Sequence, residues 1–161
     1  MENEPRLLVY KASAGSGKTF TLAVQYIRQL IEDPYSYKRI LAVTFTNKAT
    51  TEMKERILSQ LYGIAISDKS SDGYLKEIMK TSTRSEEEIR KTAGLALKNI
   101  IHDYSRFRIE TIDSFFQSVM RNLARELELG ANMSIELNNT DVLSDAVDAM
   151  IEKLDRKSPV L

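Results

Sequence analysis

The stretch ASAGSGKT at residues 12–19 lies between the apolar run LLVY (7–10) and the segment FTLAVQYIRQLI (20–31), and it constrains this chain more than any other feature. A glycine-rich turn from a buried strand into a helix aims consecutive backbone N–H groups into one concavity at the helix N-terminus, which is how a P-loop cradles phosphate. Gly15 and Gly17 permit the tight path that larger residues block. Lys18 is placed to reach the β and γ phosphates and is the expected catalytic lysine, while the Thr19 hydroxyl is the expected Mg²⁺ ligand. Ala12, Ser13, Ala14, Gly15, Ser16, Gly17, Lys18, Thr19 and Phe20 are therefore the candidate nucleotide-binding set. Ala12 stands where the GxxxxGK-S/T pattern opens with glycine, and it is small enough to keep the path.

Around this turn the apolar pattern predicts alternating strands and helices. LLVY and ILAV (40–43) are continuous apolar runs of the kind buried on both faces of a parallel sheet. Ala23, Tyr26, Ile27, Leu30 and Ile31 recur at helical spacing until Pro34 interrupts them. Ala49, Met53, Ile57 and Leu61 form the stripe of a second helix. Strand, loop, helix, strand, loop, helix reads as a βαβ arrangement in an α/β fold.

Beyond it, GIAISDKSSDGY (63–74) reads as an exposed connection. Ser85 and Glu88 predict a capping box, followed by an inner face of Ile89, Ala93, Leu97, Ile100 and Tyr104. FRIET (107–111) is expected to be a third strand. The helix after it carries Phe115, Phe116, Val119, Met120, Leu123 and Leu127, a stripe expected to pack into the core. Residues 130–140 read as a loop, with Thr140 capping a last helix that bears Val142, Leu143, Ala146, Val147, Met150, Ile151 and Leu154.

A nucleotide hydrolase also needs an acid at the end of another apolar strand, a group that orients water, and usually an arginine. No run of four apolar residues is followed by Asp-Glu. The nearest acids, Glu110 and Asp113, read as structural, since Asp is favoured at helix starts. Arg84, Arg90 and Lys91 are the only cluster resembling a kinase lid, and a solvated helix face accounts for them more simply.

The stretch AVTFTNKATTEMKERI (42–57) ends a strand in Thr44, Phe45, Thr46 and Asn47 before a helix. Hydroxyls, an amide and helix N–H groups suit a phosphodiester backbone, and Phe45 suits a base. A capped helix with a buried phenylalanine fits the same residues.

Charge and composition narrow the field. The 161 residues suit one domain with a partial second. The 23 basic and 23 acidic residues cancel overall, but residues 1–125 hold 20 basic against 15 acidic, and 126–161 hold 3 against 8. A basic surface on the first part is thus compatible with neutrality. With no cysteine and only His102, thiolate and His-cluster metal sites are excluded, leaving a hard, oxygen-bound ion. No apolar stretch reaches the roughly 18 residues of a membrane span, and MENEPR is acidic where a signal peptide is basic, so no membrane partner and a cytoplasmic location are expected.

The ordered motifs ASAGSGKT, TFTNKATTEMKERI and IETIDSFF resemble those of UvrD/Rep-type superfamily 1 DNA helicases, and KASAGSGKTFTLA is most similar to the RecB/AddA-like branch. The resemblance spans about residues 7–127. It implies a partial RecA-like ATP-binding domain over 1–127, with a parallel sheet, flanking helices and a helical connection at about 63–105, then the start of a helical insertion over 128–161. It further implies ATP with Mg²⁺, single-stranded DNA along Thr44, Phe45, Thr46, Asn47, Thr111 and Ser114, and as partners the remainder of the polypeptide and a nuclease subunit. Asp113 stands where family members often have histidine, and NEPRLLVY lacks the family's adenine-reading glutamine. Without the Asp-Glu strand and the arginines, the isolated chain is expected to bind nucleotide but not to turn it over. A small P-loop kinase or ATPase, and a non-catalytic single-strand-binding module, are the alternatives.

Overall fold

A computed structural model of the chain describes residue 9, residues 17–126, and residues 143, 144, 147, 148, 150 and 151. It divides into two compact units, Met1–Phe116 and Gln117–Leu161.

In the first unit, α1 (Lys18–Glu32) buries Ala23, Val24, Tyr26, Ile27, Leu30 and Ile31, the stripe set by its helical spacing. It stops one residue short of the position that Pro34 restricts, with Asp33 extended at φ −139° and ψ 108°. A 3-10 turn at Ser36–Lys38 buries Tyr37, whose hydroxyl donates to the Asn99 carbonyl at 3.2 Å. The strand β1 (Ala42–Thr44) then leads into α2 (Asn47–Ala65). After a 3-10 turn at Lys69–Ser71 come α3 (Asp72–Met79) and α4 (Glu86–His102), then another at Tyr104–Arg106 and β2 (Ile109–Thr111). The sheet pairs β1 and β2 in parallel, Ala42 with Ile109, Val43 with Glu110, Thr44 with Thr111.

Helix α4 runs back along α2. Gly94 faces Ala65, where a Cβ on the glycine would come 3.5 Å from the alanine methyl, and Arg90 reaches the Ile64 carbonyl at 2.7 Å. Between them and α1 lies a core of Ile27, Leu30, Ile57, Leu61, Ile89 and Ile100, each fully buried. Such a side chain contributes about 1.5–3 kcal/mol by leaving water.

Several expectations change here. Only the middle of the stretch 63–74 is an exposed connection, at residues 66–70: α2 continues to Ala65, α3 begins at Asp72, and Gly63, Ser71 and Tyr74 are buried. Polar composition hid a close approach, since a Cβ at Gly63 would lie 2.1 Å from the Ser71 hydroxyl oxygen. Tyr104 falls past the end of α4 and is exposed, because the helix stops at His102 and the turn re-aims the ring. The run ILAV is not buried on both faces. Leu41 and Val43 are exposed, and among the described residues β1 pairs only with β2. Of LLVY only Val9 is described; it is exposed and lies in no strand.

Helix α5 (Ile112–Glu126) begins in the first unit and continues into the second. Its apolar stripe is not core: Phe116, Met120 and Leu123 are exposed, with Phe115 and Val119 half-buried. Spacing predicts which face is apolar, but burial also needs a surface laid against that face. Leu127 lies outside the described residues. In the second unit the described residues at 143–151 have helical backbone and expose Leu143, Val147, Met150 and Ile151. Thr140 and the loop at 130–140 lie outside the described residues.

Candidate functional site

The candidate nucleotide end of the site begins at Gly17, the N-cap of α1, in the left-handed conformation with φ 79° and ψ 16°. A side chain there would meet no atom within 4 Å, so glycine is required by backbone conformation rather than by space. The Gly17 carbonyl accepts from the Thr21 amide at 2.9 Å and the Thr21 hydroxyl at 3.3 Å, fixing the first turn. Lys18 and Thr19 are exposed at its start, and no acid lies in that turn. A lysine, a hydroxyl and a helix N-terminus with no acid in its own first turn fit the phosphates and Mg²⁺ of a nucleotide. Phe20 is half-buried, its ring 4.5 Å from that of Tyr74 on α3. Ala12, Ser13, Ala14, Gly15 and Ser16 lie outside the described residues.

The second end follows from sheet register. Because β1 and β2 are parallel and Thr44 pairs with Thr111, both strands finish at the same edge, where α2 and α5 begin. Ligands of parallel α/β sheets gather at this carboxyl edge. Thr44, Phe45, Thr46 and Asn47 from one strand exit thus stand beside Thr111 and Ser114 from the other. Phe45 is 87% exposed, which removes the buried-phenylalanine alternative. Thr46 is the N-cap of α2, its hydroxyl accepting from the Ala49 amide at 3.1 Å. Thr111 is buried, and its hydroxyl accepts from the Ser114 amide at 3.2 Å and meets the Ser114 hydroxyl at 2.8 Å. Asn47 and Ser114 are exposed.

A cavity of about 370 Å³ has Thr19 from α1, Thr44 at the end of β1 and Ala49 in α2 on its wall. Tyr26 also lines it. Its buried hydroxyl has no hydrogen-bond partner, and burial pushes its pKa well above the usual tyrosine value.

Other charged candidates are occupied structurally. Arg84 donates to the Glu32 carbonyl at the C-terminus of α1, at 3.0 Å. Arg90 donates to the Ile64 carbonyl in the last turn of α2 and is held by Glu86 at 2.6 Å. Both thus satisfy carbonyls that helix ends leave unpaired. Glu110 accepts from Arg108 at 2.6 Å, and Asp113 is exposed in the first turn of α5. No acidic or histidine cluster suited to a metal occurs among the described residues, and no helix among them is long and apolar enough to cross a membrane.

Sequence inspection missed Thr50. Its hydroxyl lies 2.7 Å from that of Thr44 and 3.2 Å from the Thr46 carbonyl. The available signal was a threonine four residues into a helix, the spacing at which a hydroxyl bonds back to the carbonyl at i−4.

Residues 2–159 match the UvrD/REP helicase N-terminal domain. The chain is 33% identical over 153 residues to an ATP-dependent helicase/nuclease subunit of Acetivibrio thermocellus, covering 94% of this chain and 10% of that protein. It is 31% identical over 145 residues to the subunit of the same name from Bacillus cytotoxicus, covering 89% and 10%. With the RecBCD enzyme subunit RecB of Mycobacterium tuberculosis it shares 27% over 151 residues, covering 92% and 14%. The chain therefore spans only a small fraction of the length of these relatives. No solved structure matches it.

Proposed function

We propose, from the premise that this chain belongs to the UvrD/REP helicase N-terminal domain family, that it is the ATP-binding part of an ATP-dependent DNA helicase of the helicase-nuclease type acting in DNA recombination and repair. In this proposal residues 1–127 are part of a RecA-like domain and 128–161 open a helical insertion. Its partners are the remainder of a longer polypeptide and a nuclease subunit. The supporting observation is the shared strand exit: the two threonine-rich motifs meet at one sheet edge with Phe45 exposed between helix starts, and Thr19 shares a cavity wall with Thr44.

ATP·Mg²⁺ supplies the phosphoanhydride whose cleavage drives movement in such enzymes. This chain's own residues bind and orient it. The amides after Gly17 meet the phosphates, Lys18 neutralises the outer ones, and Thr19 ligates the ion. At the other end, Asn47 and Ser114 with the first amides of α2 and α5 hold the DNA backbone, and Phe45 stacks on a base. Arg84 and Arg90 cap helices, so the self-contained kinase reading lacks its lid arginines.

Purified chain should bind a fluorescent ATP analogue, lose it in Lys18→Ala, and bind oligo-dT with an affinity that falls steeply as salt rises. It should show no unwinding and negligible turnover. DNA-stimulated hydrolysis by the pure chain, or phosphoryl transfer to a nucleoside monophosphate, would overturn the proposal. Unchanged nucleotide affinity in Lys18→Ala would leave the single-strand-binding module in its place.

A further inference from the structure

The hydroxyl of Thr44 is turned toward the start of α2. It lies 2.7 Å from the Thr50 hydroxyl and donates toward the Thr46 carbonyl at 3.2 Å, the same carbonyl that Thr50 reaches at 3.2 Å. The Thr50 amide also bonds to that carbonyl, at 3.0 Å. Thr44 and Thr50 are both half-buried, whereas Phe45 and Asn47, which flank the shared carbonyl, are exposed. One amide and two hydroxyls thus gather at the peptide that carries the loop from β1 into α2, the two hydroxyl protons shared between the carbonyl and the hydroxyl–hydroxyl contact, while Phe45 and Asn47 face solvent.

We infer that Thr50 is a positioning residue for single-stranded DNA, closing a clasp with Thr44 that holds the 44–47 loop in its binding conformation before DNA arrives. The inference deepens the proposed DNA-binding edge and rests on it. It divides the labour along the loop: Thr44 and Thr50 fix the backbone, while Phe45 and Asn47 touch the ligand. A phosphate that took the Thr44 hydroxyl proton would displace its bond to the Thr46 carbonyl, so in the free loop Thr44 acts through the backbone. The gain is preorganisation, since a loop already ordered loses less conformational freedom on binding. Thr50 is also the residue a sequence reader passes over, four positions past the cap, where alanine would form helix better.

The test uses the full chain and fluorescein-labelled oligo-dT, read by anisotropy over a salt series, with Thr50→Ala, Thr50→Ser and Thr44→Val beside the parent. The methyl NMR shift of Thr44 gives a readout independent of DNA. Thr50→Ala should weaken binding about fivefold, the size of one lost hydrogen bond, at an unchanged salt slope because no phosphate contact is removed. Thr50→Ser should restore parental affinity, and Thr44→Val should weaken binding as much as Thr50→Ala does. The Thr44 methyl should shift in Thr50→Ala and return in Thr50→Ser. Parental affinity in Thr50→Ala, or a salt slope that falls with it, overturns the positioning role. Failure of the parent chain to bind oligo-dT, with the Thr44 shift behaving as expected, overturns the DNA-binding edge instead.

Discussion

Replacing Phe45 with alanine should separate folding from binding. Phe45 keeps 87% of its surface in water, so folding hides roughly an eighth of the ~200 Å² that a phenylalanine can bury, about 25 Å². At about 25 cal/mol per Å², that contact is worth about 0.6 kcal/mol to the fold. A base stacked on the ring is worth about 1–3 kcal/mol, or about a 5- to 150-fold change in Kd. The assay pairs a urea melt followed by far-UV circular dichroism with oligo-dT anisotropy at one fixed salt concentration. The expected result is a nearly unmoved melt and a large loss of affinity. A loss of stability well above 1 kcal/mol would mean that the ring is held by packing. An unmoved melt with unmoved affinity would mean that this edge is not where single strands lie.

Gly63→Ala should destabilise the first unit by about 1–3 kcal/mol in thermal melts, the usual cost of overpacking, because the new methyl would meet the buried Ser71 hydroxyl; Ser71→Gly in the same chain should recover most of it. Tyr26→Phe should leave the melting temperature unchanged or raise it, since the lost hydroxyl is buried without a partner; a clear drop would show that it has one. The Glu88 carboxylate accepts from the Ser85 amide and hydroxyl, which hold its pKa below the usual glutamate range. A depressed folded-state pKa contributes stability that is present above the unfolded value and lost as pH falls through the folded one. The stability gap between the parent and Glu88→Ala should therefore be full at neutral pH and close on acidification below the ordinary glutamate range, as read by melts at stepped pH; a constant gap would refute the linkage.

Local patterns were the most legible part of this chain. The capping box at Ser85 and Glu88, the inner stripe of α1 and the strand before Thr111 each follow from residues close together in sequence, where spacing and side-chain chemistry decide the outcome. The helical character of 63–79 was hidden because Gly63 and Ser71 are small and polar for the sake of a close approach, not for exposure. The open face of α5 was misjudged for the converse reason: Phe116 and Met120 satisfy a helical period, but no sequence period states what lies opposite. At the candidate site the motif residues themselves were legible. Their meeting at one edge was not, because it depends on the register of Thr44 with Thr111 across the helical segment between them. Thr50 escaped notice because its role is a hydrogen bond to a neighbour's backbone rather than a chemistry of its own.

That same register carries a consequence for how the chain comes to be folded. Ala42 can find Ile109 only after α2, α3 and α4 have brought the chain back, and closing so long a loop before those helices pack would cost entropy with nothing to offset it. The antiparallel pair of α2 and α4 joins residues much nearer in sequence and can form first. During synthesis, β1 would then leave the ribosome well before β2 and wait without that partner. The exposed Leu41 and Val43 would be its most aggregation-prone surface in that interval. The pairing of β1 with β2 at the centre of the candidate site is thus expected to be the last part of the first unit to form, and the first to be lost when folding is hurried.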